Sequence, residues 1–252
     1  MEKLVRPIFA GFKEKLKFTK LNRKFLHRAV FVPLFLCFFQ FLPAQVLPGQ
    51  QQVKFQVFTL SEGIPGLEEQ VDESQNGVFS LPISHLRQTV PYILEGILYG
   101  WNFCYTPSDK TRGVEEYFEF EPINTVKTGD PRISFSGYKV DESFFSCWVS
   151  YDRTDEMMLY RKHWQSIYHP QIRGTGAASI YDGDEGFKAA YAEAAKNALR
   201  SYARGIVKNK PKEITGKVLL CEAPLMSIRN GKYVAQLEFL LEIDEILPYS
   251  SF

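Results

Sequence analysis

The residues that most constrain this chain are Asn230-Gly231 and the run that follows them. Both residues of an Asn-Gly pair tolerate the positive φ of a two-residue type I′ turn, whose twist matches that of paired strands. After it, Tyr233, Ala235, Leu237, Phe239, Leu241 and Ile243 alternate with Lys232, Val234, Gln236, Glu238, Leu240 and Glu242. A period of two sends the first set toward a core and leaves the second mostly facing solvent. A lone hairpin of this kind is marginal in water, so it needs a partner strand and an apolar layer over its buried face. Lys217 to Ile228 reads as the partner strand, with Pro224 marking a bulge or an edge. Residues 186–208 read as the covering helix. Seven Ala fall between Ala189 and Ala203, and Phe187, Tyr191, Ala194, Ala198, Tyr202 and Ile206 make one stripe. Asp184 is the expected N-cap, and Pro211 and Gly216 end the element.

Upstream, Val53, Phe55 and Val57 alternate with polar residues and predict a strand, and residues 61–76 predict a loop. Residues 81–100 carry Ile83, Leu86, Val90, Ile93, Leu94, Ile97 and Leu98 at helical spacing. Ser80 is placed to cap that helix, Pro82 suits its first turn, and Pro91 predicts a kink or a restart. Residues 114–168 are rich in aromatic and β-branched side chains and predict antiparallel strands. Met157 to Trp164 reads as the last of these. In the helical alternative for 156–168, Tyr160, Trp164 and Tyr168 form a core stripe. The expected class is therefore α+β: antiparallel sheet or sheets with helices packed on one face. Residues 81–151 and 186–243 read as two related helix-strand-strand halves, a hypothesis. The divisions read as 1–44, 45–171 and 172–252.

The first 28 residues hold nine Lys or Arg against Glu2 and Glu14, and residues 29–44 carry no charge. A basic stretch before a short apolar run is the physical form of a signal peptide. The apolar run Ala29 to Leu42 has 14 residues. As a helix it spans roughly 21 Å, against a hydrocarbon layer of roughly 30 Å, which favours a cleaved leader over a retained anchor. Ala44 is the expected last residue of the leader and Gln45 the mature start, although Leu42 is large for the third position before the cut. Cys37 is preceded by Leu34, Phe35 and Leu36, which disfavours lipidation there. Beyond Arg28 the chain holds 21 Lys and Arg against 27 Asp and Glu, so no basic face for nucleic acid is expected. Cys104, Cys147 and Cys221 all fall in apolar, strand-like stretches. Free buried thiols are the expected state, with a Cys104–Cys147 disulfide as the alternative in an oxidising compartment.

Ile172-Arg173-Gly174-Thr175-Gly176-Ala177-Ala178 is followed by Gly183-Asp184, then by Ala190, Ala194, Ala198-Leu199-Arg200, then by a strand and the Asn-Gly hairpin. In this order, residues 172–243 resemble the N-terminal domain of the flagellar assembly protein T type, a small exported helix-on-hairpin domain. The resemblance implies an envelope location and a structural or assembly role. Residues 53–168 have no counterpart in it.

The motifs of chemistry are sparse. Gly174-Thr175-Gly176 lacks the Gly-Lys-Ser/Thr ending of a phosphate loop and reads as a tight strand exit. His163 and His169 are six apart with His85 remote, a poor zinc spacing, and His163 reads as a solvent-facing strand position. There is no Gly-x-Ser-x-Gly elbow, and Glu115, Glu116, Glu119 and Glu121 read as the outer face of a strand. No catalytic, cofactor-binding or metal-ligating residue is expected. The expectation is an exported, non-enzymatic cell-envelope protein of the periplasm or outer-membrane periphery, with a structural, assembly or binding role. Its expected partner is another envelope protein or itself, not nucleic acid, and its mature part does not span a membrane. The alternatives are a periplasmic hydrolase acting on wall or lipid material, and a small-ligand carrier with an apolar cavity between helix 81–100 and the sheet.

Overall fold

The hairpin organises the structure. Arg229 pairs with Lys232 across Asn230 (φ 52°) and Gly231 (φ 68°), the positive angles of the two-residue turn. In the computed structural model, residues 51–63, 79–141 and 143–249 are described. The leader reading of 1–44, Cys37 and most of the loop at 61–76 lie outside the described residues.

The elements are β1 (Gln52–Leu60), α1 (Ser80–Leu98), β2 (Trp101–Thr106), β3 (Tyr117–Pro122), β4 (Ile133–Asp141), β5 (Phe144–Asp152) and α2 (Asp155–Trp164). Then come β6 (Gln171–Ser179), a 3-10 turn (Ile180–Asp182), α3 (Gly183–Ile206), β7 (Glu213–Leu220), β8 (Leu225–Arg229) and β9 (Lys232–Leu247). A three-stranded sheet has the order β1-β5-β4, and a six-stranded sheet the order β3-β2-β7-β9-β6 with β8 also on β9. The strand pairs within both sheets are antiparallel, and the fold is α+β as the pattern predicts. Among the described residues, no helix is long and apolar enough to cross a membrane.

β9 is 16 residues long, enough to serve two neighbours along one edge. Lys232–Gln236 pairs with β8 and Phe239–Leu247 with β7, while β6 pairs along the other edge. The partner strand read at Lys217 to Ile228 is thus broken at residues 221–224, where Pro224 cannot donate to the ladder. The helix-strand-strand runs α1-β2-β3 and α3-β7-β9 meet through their first strands, Trp101 opposite Val218. The large sheet therefore draws strands from both sides of residue 171.

Tyr233, Ala235, Leu237, Phe239 and Leu241 are all buried. Leu240 departs from the solvent-facing set: it is 6% exposed and packs with Leu219 and Trp164 on the opposite face of the sheet. Its cover is α2, which corrects the strand reading of Met157 to Trp164. Thr154 Oγ1 accepts from Met157 N at 3.3 Å, a side-chain N-cap. Asp155 and Glu156 occupy the first turn, and Arg161, Lys162 and His163 the last, the charge order that a helix dipole favours. Of the proposed stripe, Tyr160 and Trp164 pack inward, while Tyr168 lies beyond the helix and is exposed. Pro91 lies buried within α1, which runs unbroken from Ser80 to Leu98. Ser80 is the first residue of that helix, whose N-cap makes no side-chain hydrogen bond.

α3 lies against β6 and β9 at unusually short range. Gly174 and Gly176 sit in the middle of β6, facing the Ala190, Ala194 and Ala198 stripe. A Cβ at Gly176 would lie 2.2 Å from Ala194 N and 2.3 Å from Ala190 O; one at Gly174 would lie 2.0 Å from Ala194 O. The Gly-x-Gly pair is therefore neither a phosphate cradle nor a strand exit. It is the notch into which a small-residue helix face settles.

Candidate functional site

The end of α2, the α2–β6 connection and β9 together carry the one group of at least three candidate metal ligands among the described residues. Trp164, buried in the small core, ends α2 and sets where the chain turns back. Ser166 N bonds to His163 O at 3.2 Å and His169 N to Ser166 O at 3.3 Å, so the connection coils tightly. Leu241 N donates to Pro170 O at 3.0 Å and pins the connection to β9. The His169 ring lies 4.8 Å from the Trp164 ring and 5.4 Å from that of His163.

His169 Nδ1 is 3.0 Å from Ser166 Oγ, and its Nε2 is 3.2 Å from Glu242 Oε2. Lys217 Nζ donates to the other Glu242 oxygen at 3.1 Å and to Asp244 Oδ1 at 3.3 Å. One ligand atom from each of His163, His169 and Glu242 falls within 4.8 Å of the others. The His169 side chain is 8% exposed and Glu242 33%, while His163 is exposed. Burial pushes the Glu242 carboxyl up, but the Lys217 hydrogen bond and charge, with His169, bring it below its ordinary value. The six-residue spacing of the histidines argues against a site only along an extended chain. A helix end and a coiled connection bring the rings together, and Glu242 arrives from 73 residues away. No sequence signal joins Glu242 to them: in the alternating run of β9 it reads as an ordinary solvent-facing carboxylate.

A second polar cluster joins α3 to the β2–β3 region. Tyr105 OH donates to Glu116 Oε1 at 2.9 Å, and Arg200 Nη2 donates to both Glu116 oxygens. Lys196 Nζ stands 3.8 Å from the same carboxylate. Tyr105, Glu116 and Arg200 border a concavity of about 480 Å³ that Arg204, Lys208 and Lys210 also line. Burial pushes Glu116 up, but Arg200 and Tyr105 hold it below its ordinary value of 4.5. A carboxylate clamped in this way is a cross-link rather than a proton donor. Glu119 and Glu121 are exposed on β3, as the strand-face reading predicts.

The sign of the Glu116 contribution follows from its lowered value. Its stabilisation is present above pH 4.5 and fades as pH falls through the depressed folded value. Arg200→Ala is expected to cost about 1 kcal/mol at neutral pH, because one guanidinium nitrogen serves both carboxylate oxygens and the pair is partly exposed. The deficit should shrink in acid. Urea unfolding of both proteins across pH reads it, and an equal deficit at neutral and acid pH contradicts the assignment.

Where α1 faces the large sheet, rings fill the space that the small-ligand-carrier alternative would use, whereas a concavity of about 520 Å³ lies between α1 and β4, lined by Ser84, Arg87, Ile133 and Phe135. Trp101 contacts Tyr92 at 5.3 Å, Phe120 at 4.9 Å, Tyr191 at 6.1 Å and Phe239 at 6.3 Å. Cys104, Cys147 and Cys221 are free thiols, so the alternative Cys104–Cys147 disulfide is not formed. Desolvation pushes each up to about 11, the Glu213 contact adding to it at Cys104, and this keeps thiolate scarce at neutral pH.

These features define an α+β protein whose conspicuous sequence motifs serve packing. The chain belongs to the family whose sequence model matches residues 41–249. An uncharacterized protein of Treponema pallidum (strain Nichols) is 28% identical over 202 residues, covering 80% of this chain and 84% of the relative. No solved structure matches the chain.

Proposed function

We propose that this chain is an exported, non-enzymatic protein of the cell envelope that acts by binding or assembly, with another envelope protein or a second copy as its partner. The carrying observation is the cationic first 28 residues followed by an apolar run too short to span a bilayer. One boundary supports it. The family match begins at residue 41, close to the expected cut after Ala44. The binding or assembly role draws on the resemblance of residues 172–243. Its signature residues Gly174, Gly176, Ala190, Ala194 and Ala198 are consumed in helix–sheet contact, the use expected of a scaffold.

Fractionation of expressing cells with N-terminal sequencing tests export. The expected product begins near Gln45 and leaves with the envelope fraction. A product that begins at Met1 and stays in the soluble cell interior refutes the proposal. Cross-linking in intact cells should then trap the product with an envelope protein or with itself. Cross-links to cytoplasmic proteins alone count against it.

A further inference from the structure

We propose that His163, His169 and Glu242 bind one divalent metal ion of the zinc class. Two imidazoles and a carboxylate are the mixed nitrogen–oxygen donor set that suits zinc, whereas magnesium and calcium take oxygen ligands. The separation already present between two of the donors fits. With metal–ligand bonds of about 2.0–2.2 Å, neighbouring ligand atoms of a tetrahedral ion lie about 3.4 Å apart. His169 Nε2 and Glu242 Oε2 are 3.2 Å apart. The third donor, His163, lies on the last turn of α2 and is exposed, so a rotamer change completes the set without disturbing the core.

Both inner donors are held from behind. Ser166 Oγ engages His169 Nδ1, which turns Nε2 toward Glu242. Lys217 engages Glu242 Oε1, which leaves Oε2 for the ion. Such partners fix ring and carboxylate orientation in metal sites. Charge also permits binding: Glu242 and Asp244 outweigh Lys217 by one negative charge, and Lys217 is already shared between the two carboxylates. His163 is exposed, so solvent reaches the site and a water would serve as the fourth ligand. The competing account is a structural His169–Glu242 hydrogen bond that binds nothing, and it makes different predictions.

Isothermal titration of the chelator-treated full chain with zinc chloride separates the two accounts. Saturable binding of one equivalent is expected. His163→Ala and Glu242→Gln should each weaken it at least about tenfold, since loss even of an outer-shell partner costs about 10–100-fold. His163 is exposed, so its variant should keep the wild-type melting curve in chelator and lose the zinc-induced rise in Tm. Cobalt(II) should give the visible spectrum of a four-coordinate ion in the wild type and not in His163→Ala. Absence of saturable zinc binding overturns the proposal. So does equal affinity in wild type, His163→Ala and Glu242→Gln, which would place the ion elsewhere.

Discussion

Gly176→Val is expected to abolish the cooperative unfolding transition, and Gly176→Ala to lower stability by several kcal/mol. The clash is with backbone atoms. A Cβ at Gly176 meets Ala194 N at 2.2 Å and Ala190 O at 2.3 Å, inside a hydrogen-bonded helix that cannot yield locally. Relief requires moving α3 off the sheet, which opens space beneath Ala190, Ala194 and Ala198, all of them buried. Overpacking a core costs about 1–3 kcal/mol when side chains can adjust, and more when they cannot. Against a typical total of about 5–15 kcal/mol, the added methyls of Val exceed what the fold can absorb. Gly205, in the last turn of the same helix, is the control. Nothing lies within 4 Å of a Cβ built there, so Gly205→Ala should stabilise by up to about 1 kcal/mol. Circular-dichroism melting of the three variants measures both signs. If Gly176→Ala melts with the wild type, the close approach of α3 to β6 is wrong.

Trp101→Ala is expected to cost about 3–5 kcal/mol, the range for emptying a large aromatic site. Trp101 is fully buried, and its indole is the hub of the ring cluster between α1, α3 and the large sheet. α1 comes so near that a Cβ at Gly96 would lie 1.8 Å from the indole edge. Collapse around the cavity is limited because the neighbours are rings held by four different elements, α1, β3, α3 and β9. Trp101→Phe should cost clearly less, since the indole Nε1 is buried with no hydrogen-bond partner among the described residues. Tyr191→Phe is a further contrast. Its hydroxyl is likewise buried and unpartnered, so its removal should be neutral or slightly stabilising. Denaturant unfolding gives all three values. A Trp101→Ala loss of no more than about 1 kcal/mol would mean that the ring cluster does not carry the core.

The hairpin at Asn230-Gly231, the alternating β9 and the Ala-striped α3 were legible because each depends on neighbours in sequence. Turn chemistry, strand period and helix propensity act over a few residues, and the charge block ahead of the apolar run is equally local. The α2 segment reads first as a strand, with a helix as the alternative, because its aromatic composition outweighs a short capping pattern, Thr154 with Asp155 and Glu156. In sequence Gly174 and Gly176 read as a tight strand exit, since what they contact is a helix that begins several residues later. Glu95 shows the same limit. It interrupts the apolar stripe of α1, yet it is buried, with its carboxylate accepting from Val126 N at 3.0 Å.

The chain's order of residues therefore determined the α+β class, the two-residue turn, which face of β9 is buried, and the contrast between the basic first 28 residues and the uncharged run at 29–44. Only the folded molecule decided that α2 covers the second face of the large sheet, that Gly176 is a notch for α3, and that His163, His169 and Glu242 share one spot. The reason is the range of the forces involved. Local torsion and periodicity are written into adjacent residues, whereas contacts between β9 and a connection 73 residues earlier exist only after two sheets and three helices have packed.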